Sequence, residues 1–312
     1  MDAHKTLQQA IVYFSDPDRC FEYAKHLRWP DGRVSCPRCA SYEHSFISTR
    51  RVWFCKGCKK QFSLKVGTIF EDSPITLDKW LCALWMLTNC KNGVSSYEIH
   101  RAIGVTQKSA WFMLHRLRML MHEDDDSRLA GEIEMDETFV GGKAKNMHKA
   151  KRAKALKVEG TFKGKTIVVG MLERKGRVKA AVVEARTRKV LHALAHESIA
   201  PGSTVMTDEH HPYRGINFTH EVINHAEEYV RGNVHTNGIE SFWSMVKRAL
   251  GGTYISVEPF HLFRYIDEQA FRFNTRKSCD DLGRFELAAR NAAGKRLTYA
   301  ALTSGTGSAT SL

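Results

Sequence analysis

The sequence lacks any apolar run of about eighteen residues, the length that a membrane-spanning helix requires. Its first residues, MDAHKTLQQAIVYF, also lack the basic, apolar and small-residue order of a secretory signal. These two absences predict a cytosolic protein without a membrane span. In a reducing compartment, its eight cysteines are expected to be thiols or metal ligands rather than disulfides.

Acidic residues are in short supply relative to basic ones. The 312 residues include 47 Lys and Arg against 34 Asp and Glu, which gives a formal net charge of +13 and a pI near 9.4. Such an excess favours a polyanionic partner, nucleic acid first and an anionic membrane surface second. The chain is also long enough for two or three domains with cores of their own.

Two C-x-x-C motifs form the most specific local pattern in the chain. The first pair is Cys36 and Cys39, the second is Cys55 and Cys58, and residues 40–54 lie between them. This spacing predicts a four-thiolate zinc site in a small ribbon that needs the metal in order to fold. A redox pair is the alternative, but a redox motif is normally single. The other cysteines, interpreted as ordinary buried thiols, are Cys20, Cys82, Cys90 and Cys279.

A helix-turn-helix pattern follows the ribbon. The sequence predicts a short helix from Ser95 to Ile103, a tight turn at Gly104 and a second helix that starts at Thr106. In this arrangement the second helix presents its N-terminal side chains to the DNA major groove. An all-α bundle without DNA contacts is the alternative. The candidate DNA contacts are Gln107, Lys108, Ser109 and Trp111, with Arg116 further along the helix.

After an acidic break at residues 123–126, the pattern changes from helices to strands. A helix at 188–198 separates three strands from two more, and a last helix carries Glu240. This order predicts a mixed α/β sheet in which the first and fourth strands lie side by side. Ligands of such sheets bind outside the strand ends. The predicted strands are 131–140, 166–173, 178–184, 203–208 and 219–223.

The first two strands are joined by residues 143–165, which are rich in Lys and Arg and poor in apolar residues. A solvated loop is the default interpretation. A flexible cationic segment beside an acidic metal site would suit a phosphate backbone equally well. Both interpretations stay open at this point.

Three acidic residues occupy positions where a carboxylate needs a partner. Asp136 lies among apolar residues of the first strand, Asp208 ends the fourth strand, and Glu240 lies at the start of the last helix. A buried acid is costly unless it is paired or binds a metal, so the three together predict one cation site. Alternatively, Glu240 only caps its own helix, in a capping box with Asn237 as N-cap. Lys247 lies on the same helical stripe as Glu240.

Several of these segments resemble the DDE transposases of bacterial insertion sequences, in the group with an N-terminal zinc ribbon. The resemblance covers about residues 15 to 300. It implies a ribonuclease H-like domain, similar to that of retroviral integrases, and places the family's acidic triad on Asp136, Asp208 and Glu240. Lys247 matches the basic residue that accompanies the glutamate. The segments are CPRC, CKGC, KVGTIFEDSPITLDKW, MDETFVGG, TDEHHPYRGI, HTNGIESFWSMVKRAL and YIDEQAFRFNTR.

The resemblance implies metal-dependent cutting and joining of DNA. Three carboxylates can hold two Mg²⁺ or Mn²⁺ ions, with water nicking the transposon end and the new 3′-hydroxyl joining to target DNA. Lys247 is the expected phosphate contact, and Lys143 and Arg248 are weaker candidates. Glu134 and Glu209 are rival acids near the first two members of the triad. Glu134 shares a strand face with Asp136, so it is a second candidate ligand or a support for one.

Three further residues belong to the matching segments. His235 and Asn237, just before the last helix, are expected to shape the site. Glu268 matches a glutamate of the family pattern, but the sequence indicates no role for it.

Two alternatives to an active transposase use the same features. One is a DNA-binding regulator with a catalytically silent transposase-derived domain, and the other is a zinc-ribbon nuclease that acts on RNA or branched DNA.

The predicted organisation combines DNA-binding modules with one catalytic domain. The expected partners are double-stranded DNA, at the transposon ends and the target, and a second copy of the chain, because two ends must be brought together. Bound to DNA, the protein would be associated with the bacterial nucleoid. The predicted domains are a helical arm with the zinc ribbon at 1–70, a helix-turn-helix-like domain at 71–126, the ribonuclease H-like domain at 127–300 and a disordered tail at 301–312.

Overall fold

The computed structural model describes residues 5–123, 127–142, 149, 164–208, 211–223 and 235–304. Residue contacts divide the chain into two compact units. The first consists of Met1–His122 and Thr275–Thr306, and the second consists of Glu123–Asn274 and Gly307–Leu312. Within the described ranges, no helix combines the length and the apolar character that crossing a bilayer requires.

The first unit opens with two helices and a small sheet. These elements are α1 (Leu7–Phe14), α2 (Pro17–Arg28), β1 (His44–Ile47), β2 (Val52–Cys55) and β3 (Gln61–Ser63). The sheet is antiparallel with the order β1-β2-β3. The indole of Trp53 on β2 stacks on the rings of Phe21 and Phe62 at centroid distances of 5.6 and 5.5 Å. So small a core fits a ribbon that depends on metal.

The helix-turn-helix pattern lies in the next helices. They are α3 (Leu77–Asn89), α4 (Ser96–Ile103) and α5 (Gln107–Arg118). A capping box between Ser95 and Glu98 starts α4, which ends at Gly104 in the left-handed conformation with a φ of +63°. The Thr106 hydroxyl accepts a hydrogen bond from the Ser109 N–H and starts α5. The two helices and the glycine turn predicted from the sequence are therefore present.

The second unit is built on a five-stranded mixed sheet. Its strands are β4 (Glu132–Val140), β5 (Thr166–Glu173), β6 (Val178–Val183), β7 (Thr204–Asp208) and β8 (Thr219–Ile223). Their order across the sheet is β6-β5-β4-β7-β8. β4 pairs antiparallel with β5 and parallel with β7, as expected for the first and fourth strands of this unit. The predicted ribonuclease H-like mixed α/β fold is confirmed.

Helices cover both faces of this sheet. They are α6 (Arg188–Ser198), α7 (Asn237–Arg248) and α8 (Leu262–Thr275). Side chains alternate along β4, so Ile133 and Met135 join the buried cluster that contains α6 residues. Glu134 and Asp136 make hydrogen bonds to α7 instead. The two acids therefore lie on the α7 face of the sheet.

The last helices of the chain belong to the first unit. They are α9 (Asp281–Arg290) and α10 (Tyr299–Thr303). The buried ring of Phe285 lies 5.3 Å from the ring of Trp85 and 5.7 Å from that of Phe14, measured between centroids. This aromatic packing groups residues 275–300 with the N-terminal helices rather than with the predicted catalytic domain.

The first residues of the predicted disordered tail are helical. Residues 301–303 complete α10, and the side chain of Leu302 is 1% exposed. One buried leucine therefore holds this short helix in place. The rest of the predicted tail, residues 305–312, lies outside the described ranges.

Gly170 allows α7 to lie close against the sheet. It lies on β5, directly across from Asp136 on β4. A Cβ atom at this position would lie 2.6 Å from Cζ2 of Trp243 and 2.8 Å from Cδ1 of Ile239, both on α7. Any larger residue would therefore push the helix away from the strand that carries Asp136.

Replacing Gly170 with alanine is expected to destabilise the protein by about 1–3 kcal/mol, because the added methyl group overlaps the Trp243 ring. The free energy of unfolding in urea measures this loss. Gly251→Ala is the control, since nothing lies within 4 Å of the Cβ atom that it adds. The control should change the free energy by less than about 0.5 kcal/mol. Equal stability of Gly170→Ala and the wild type would contradict the close packing.

Candidate active site and zinc centre

The four cysteines of the two C-x-x-C motifs meet at one point in the ribbon. The Sγ atoms of Cys36, Cys39, Cys55 and Cys58 all lie within 4.8 Å of one another. Two of the sulfur pairs, Cys39 with Cys55 and Cys36 with Cys58, are 3.5 and 3.8 Å apart. Thiolates bound tetrahedrally to one zinc ion at about 2.3 Å are about 3.8 Å apart. The arrangement therefore fits a structural zinc ion.

Asp136 and Asp208 lie on neighbouring strands at matching positions. The parallel ladder of β4 and β7 pairs Ile133 with Val205 and Glu134 with Met206. The same register, continued by two residues, puts Asp208 level with Asp136. Neighbouring strands are about 4.8 Å apart, and residues at level positions in a parallel pair point to the same face. The two carboxylates therefore share the α7 face where β7 ends.

One oxygen of Asp136 is held by α7. The indole Nε1 of Trp243 donates a hydrogen bond to Oδ2 of Asp136 at 3.0 Å. The indole reaches the carboxylate because Gly170 leaves room for the ring. The orientation of the Asp136 carboxylate is thus fixed by the helix that also carries Glu240.

Burial raises the pKa of Asp136 to about 7. The nearby carboxylates of Glu137 and Asp208 raise the pKa as well, whereas hydrogen bonds from the Glu137 backbone and the Trp243 indole lower it. The protein therefore compensates the negative charge of Asp136 only in part. A bound cation would stabilise this charge.

Glu240 lies in the first turn of α7 and is exposed to solvent. The helix begins at Asn237, with Thr236 as N-cap, so Glu240 is its fourth residue rather than its third. The predicted capping box with Asn237 as N-cap is therefore not formed. The Thr236 hydroxyl makes no capping bond and donates to Oε1 of Glu240 at 3.3 Å.

Glu134 supplies the missing cap from a distant part of the sequence. Its Oε2 accepts a hydrogen bond from the Ile239 backbone N–H at 2.9 Å, in the first turn of α7. Its Oε1 accepts from Nε of Arg174 at 3.3 Å and lies 3.3 Å from Nδ1 of His235. Glu134 is 1% exposed, and both of its oxygens have protein donors. This favours an anchor for α7 over a second metal ligand.

The three candidate carboxylates are not gathered as tightly as the four thiols. Among the residues that the structure describes, only the cysteines bring three or more potential ligand atoms within 4.8 Å of one another. Asp136 and Asp208 are half-buried, whereas Glu240 and Lys247 are exposed on α7. Glu240 is thus the most exposed of the three candidate acids.

Known proteins match both units of the chain. Residues 128–274 match the ISXO2-like transposase domain, and residues 15–61 match a transposase zinc-ribbon domain. An uncharacterized protein in the transposable element ISH50 of Halobacterium salinarum is 30% identical over 259 residues, which cover 77% of this chain and 85% of that protein. The chain belongs to the ISXO2-like transposases. It is therefore a DNA-acting enzyme with a structural zinc ion, as the sequence predicts.

The residues that match the transposase domain coincide closely with the second compact unit of the chain. The matched domain ends at residue 274, which is where the second unit ends before α9 joins the first unit. All the strands of the five-stranded sheet and all three candidate acids lie inside the match. The candidate site therefore belongs entirely to the transposase domain.

The predicted DNA contacts at the start of α5 have different surroundings. Lys108 is exposed. Gln107 is half-buried and donates to Oγ of Ser96 at 2.9 Å, while Ser109 accepts from the hydroxyl of Thr106 at 2.9 Å. Gln107 and Ser109 therefore brace the turn between the helices, and Lys108 is the more accessible side chain of the three.

Arg116 is buried and does not fit the predicted DNA contact. It is 4% exposed, and its guanidinium carbon lies 5.4 Å from the ring centroid of Trp80 and 5.2 Å from that of Phe112. It also donates a hydrogen bond to the carbonyl of Glu71. The C-terminal half of α5 is buried on every side, so this arginine holds the helices of the transposase together.

Arg174 is a structural residue that sequence patterns do not reveal. It follows β5 and bonds to Glu132 at 2.9 Å, to Glu134, and to the backbone carbonyl of His235 at 3.1 Å. It thereby connects the strand of Asp136 to the start of α7. The only sequence signal is the pair of acids on one strand face, Glu132 and Glu134, which together call for a basic partner.

Glu137 ties the segment after Asp208 to the opposite face of the sheet. Its side chain, which is 4% exposed, accepts from Nη1 of Arg186 at 2.7 Å and from the Tyr213 hydroxyl. Burial raises the pKa of Tyr213 well above its ordinary value, so this hydroxyl stays a donor. Tyr213 lies in the helical turn His211–Tyr213 that follows β7.

The other predicted site residues are in two groups. Asn237 is the exposed first residue of α7, and Arg248 is exposed in its last turn. Lys143, Glu209 and nearly all of the basic loop 143–165 lie outside the described residues. The proposed role of the loop in contacting the phosphate backbone stays a prediction.

Replacing Cys36 with serine is expected to release the zinc ion and unfold the ribbon, because the small core around Trp53 does not hold the strands without metal. Zinc content by mass spectrometry and the fluorescence of the buried tryptophans measure the two effects. Cys279→Ser is the control, since Cys279 lies outside the cluster and should keep the zinc. A Cys36→Ser variant with full zinc content would contradict the assignment.

Replacing Asp136 with asparagine is expected to stabilise the transposase at pH 8 by about 2–4 kcal/mol when no divalent ion is added. The folded-state pKa of about 7 lies above the ordinary value of 3.8, so charging the wild-type carboxyl costs stability as the pH rises between these values. The advantage of the variant should therefore shrink at about pH 5. Unfolding in urea at the two pH values measures the difference.

Asp18→Asn is the control for this pH dependence. The Asp18 side chain is 81% exposed, so its replacement should leave the stability nearly unchanged at both pH values. Asparagine at position 136 can still accept the hydrogen bond from Trp243. Lower stability of Asp136→Asn at pH 8 would show that protein groups already compensate the charge.

Proposed function

We propose that this transposase nicks and joins DNA at the ends of its insertion sequence, with a metal site formed by Asp136, Asp208 and Glu240. The observation that carries the proposal is the register of β4 and β7, in which the two aspartates occupy level positions on the face that α7 covers. Glu240 precedes Trp243, the residue bonded to Asp136, by one helical turn. It therefore lies on the same side of α7 as the bonded indole.

The donor set fits hard divalent cations. Carboxylate oxygens are the preferred ligands of Mg²⁺ and Mn²⁺. Burial raises the pKa of Asp136, so the protein leaves the charge of this carboxylate partly uncompensated, and a bound cation would stabilise it. Two bound ions would supply activation of the attacking oxygen and stabilisation of the leaving oxygen. Trp243 orients Asp136 for this role by holding one of its oxygens.

Glu240 is the residue that would complete the site. Its side chain is exposed, so a change of rotamer would exchange the 3.3 Å hydrogen bond from the Thr236 hydroxyl for contacts with water or with the ions. Two hydrogen bonds to β4 hold the first two turns of α7 in place. The Ile239 N–H donates to Glu134, and the Trp243 indole donates to Asp136. We therefore expect the side chain of Glu240, rather than the helix, to move when the DNA strand and the ions enter.

The chemistry proceeds in two steps on the same DNA strand. Water first attacks the phosphorus atom at the transposon end, and the bond from phosphorus to the 3′ oxygen breaks to leave a 3′-hydroxyl. This hydroxyl then attacks a phosphodiester of the target, forms a new P–O bond and displaces the target's 3′ oxygen. No side chain becomes covalently attached to DNA. Lys247, exposed two turns beyond Glu240, is the proposed contact to a phosphate beside the cut bond.

Recognition of the terminal inverted repeats is assigned to the first unit. Its helices α4 and α5 have the helix-turn-helix arrangement, with Lys108 exposed near the start of α5. The net charge of +13 supports a polyanionic partner. Because joining requires two transposon ends, we propose that at least two copies of the chain assemble on DNA.

The proposal is tested with a labelled duplex that carries the element's terminal repeat, in Mg²⁺, in Mn²⁺ or without added divalent ions. The wild type should nick and join this duplex only with a divalent ion. Asp136→Asn, Asp208→Asn and Glu240→Gln should each lower the rate by more than about a hundredfold, because each removes a ligand for the ions. DNA binding, measured separately by gel shift, should survive in all three.

Glu197→Gln is the matched control, since Glu197 is an exposed acid on α6, the helix on the opposite face of the sheet. It should cut and join like the wild type. Sequence-specific binding by the wild type without cleavage in any ion would overturn the enzymatic proposal. That outcome would support the DNA-binding regulator instead.

A further inference from the structure

A strained turn follows the helix that carries Glu240. Ile255 has a φ of +58° and a ψ of −55°, and the Ser256 N–H donates to the Tyr254 carbonyl at 2.6 Å across it. These values define a tight γ-turn of the rare kind with positive φ at its centre. A β-branched residue is the least suited to this conformation. Ile255 is also 82% exposed, so it makes almost no apolar contact that would offset the strain.

The residue before Ile255 is anchored from inside the second unit. The Tyr254 hydroxyl donates to Oε1 of Glu268 on α8, which also forms an ion pair with Arg272. Glu268 is fully buried and Arg272 is 6% exposed. The Tyr254 ring packs edge-on against Tyr265, with centroids 4.8 Å apart. This network gives Glu268 a role, because it fixes the turn to α8 and holds Ile255 outward.

The turn lies beyond the basic end of α7. The helix ends with Lys247 and Arg248, both exposed, and continues as the π-helical segment Ala249–Tyr254. Along a helix axis the fifteen residue steps from Glu240 to Ile255 span about 20 Å, roughly the rise of six DNA base pairs. A duplex that lies along the exposed side of α7 would therefore pass two cations and then reach Ile255.

We propose that Ile255 is an apolar wedge that enters the base stack of the DNA about six base pairs from the cut, an inference that rests on the proposed function. Proteins that kink DNA insert isoleucine or similar side chains between base steps. Contact with bases would bury the exposed side chain and offset the cost of holding it in a strained turn. The partner is DNA rather than protein because the last two exposed side chains of α7 before the wedge, Lys247 and Arg248, are cations.

The test places 2-aminopurine, whose fluorescence rises when it is unstacked, at successive positions within about ten base pairs of the end of the terminal-repeat duplex, a window that includes the expected position of the wedge. The protein carries Asp136→Asn so that the DNA stays uncut. Binding is expected to raise the fluorescence at one or two adjacent positions. Adding Ile255→Ala should abolish this rise, whereas Val222→Ala should keep it. Val222 is the matched control because it is another exposed aliphatic residue of the second unit, 40% exposed on β8.

A second variant separates the wedge from the stability of the turn. Ile255→Gly relieves the strain at positive φ, so its melting temperature should not fall below that of the parent protein. It should nevertheless lose the fluorescence rise. Loss of the signal in a protein that is at least as stable cannot come from unfolding.

The outcomes separate this inference from the proposed function. Binding of the duplex with no fluorescence rise at any position, or with a rise that Ile255→Ala keeps, would overturn the wedge and leave the proposed function intact. A change in the DNA-free oligomeric state of Ile255→Ala, with the fluorescence rise unaffected, would identify a protein contact instead and also overturn it. No binding of the terminal repeat by any variant would overturn the proposed function together with the wedge.

Discussion

One buried and one half-buried carboxylate on the same face of a single strand determine how the second unit is assembled. Glu134 and Asp136 alternate with the apolar residues of β4, so both carboxylates face the helix that covers this side of the sheet and need partners there. The same helix, α7, provides a hydrogen-bond donor to each acid. The Ile239 N–H donates to Glu134, and the Trp243 indole donates to Asp136. The position of α7 is therefore set by the need to satisfy charges as well as by apolar packing.

The protein nevertheless surrounds the two acids with different hydrogen-bond donors. Glu134 receives a guanidinium and a helix N-terminus, so its charge is compensated within the protein. Asp136 receives an indole and a backbone N–H, and its pKa stays high. A compensated carboxylate is suited to hold a helix, and a partly compensated one is suited to bind a cation. Two acids that are two residues apart on one strand thus have different roles: Glu134 anchors α7, and Asp136 is a candidate metal ligand.

Local patterns in the sequence are sufficient for the strands and for the zinc ligands. Alternation gives β4 to β8 to within about a residue, and the C-x-x-C spacing gives the four cysteines. The start of α7 cannot be predicted from neighbouring residues, because the side chain that caps it lies 105 residues earlier in the chain. The burial of Arg116 cannot be predicted from local sequence either. Helical periodicity shows one apolar face, but it does not show that other elements cover both sides of α5. The hydrogen bond of Trp243 requires the register of β4 and β5, which only the folded sheet provides.

The aromatic cluster around Phe285 has a consequence for the order in which the chain folds. All the strands of the five-stranded sheet precede this residue, so the second unit can assemble while the ribosome is still adding the last helices. The first unit must wait, because a ring that packs on Trp85 and Phe14 is synthesised only after the whole sheet. A nascent chain that stops at residue 274 would carry a finished sheet and an N-terminal unit with a hole in its core. The core of the first unit is therefore closed only by residues that follow the second unit in the sequence.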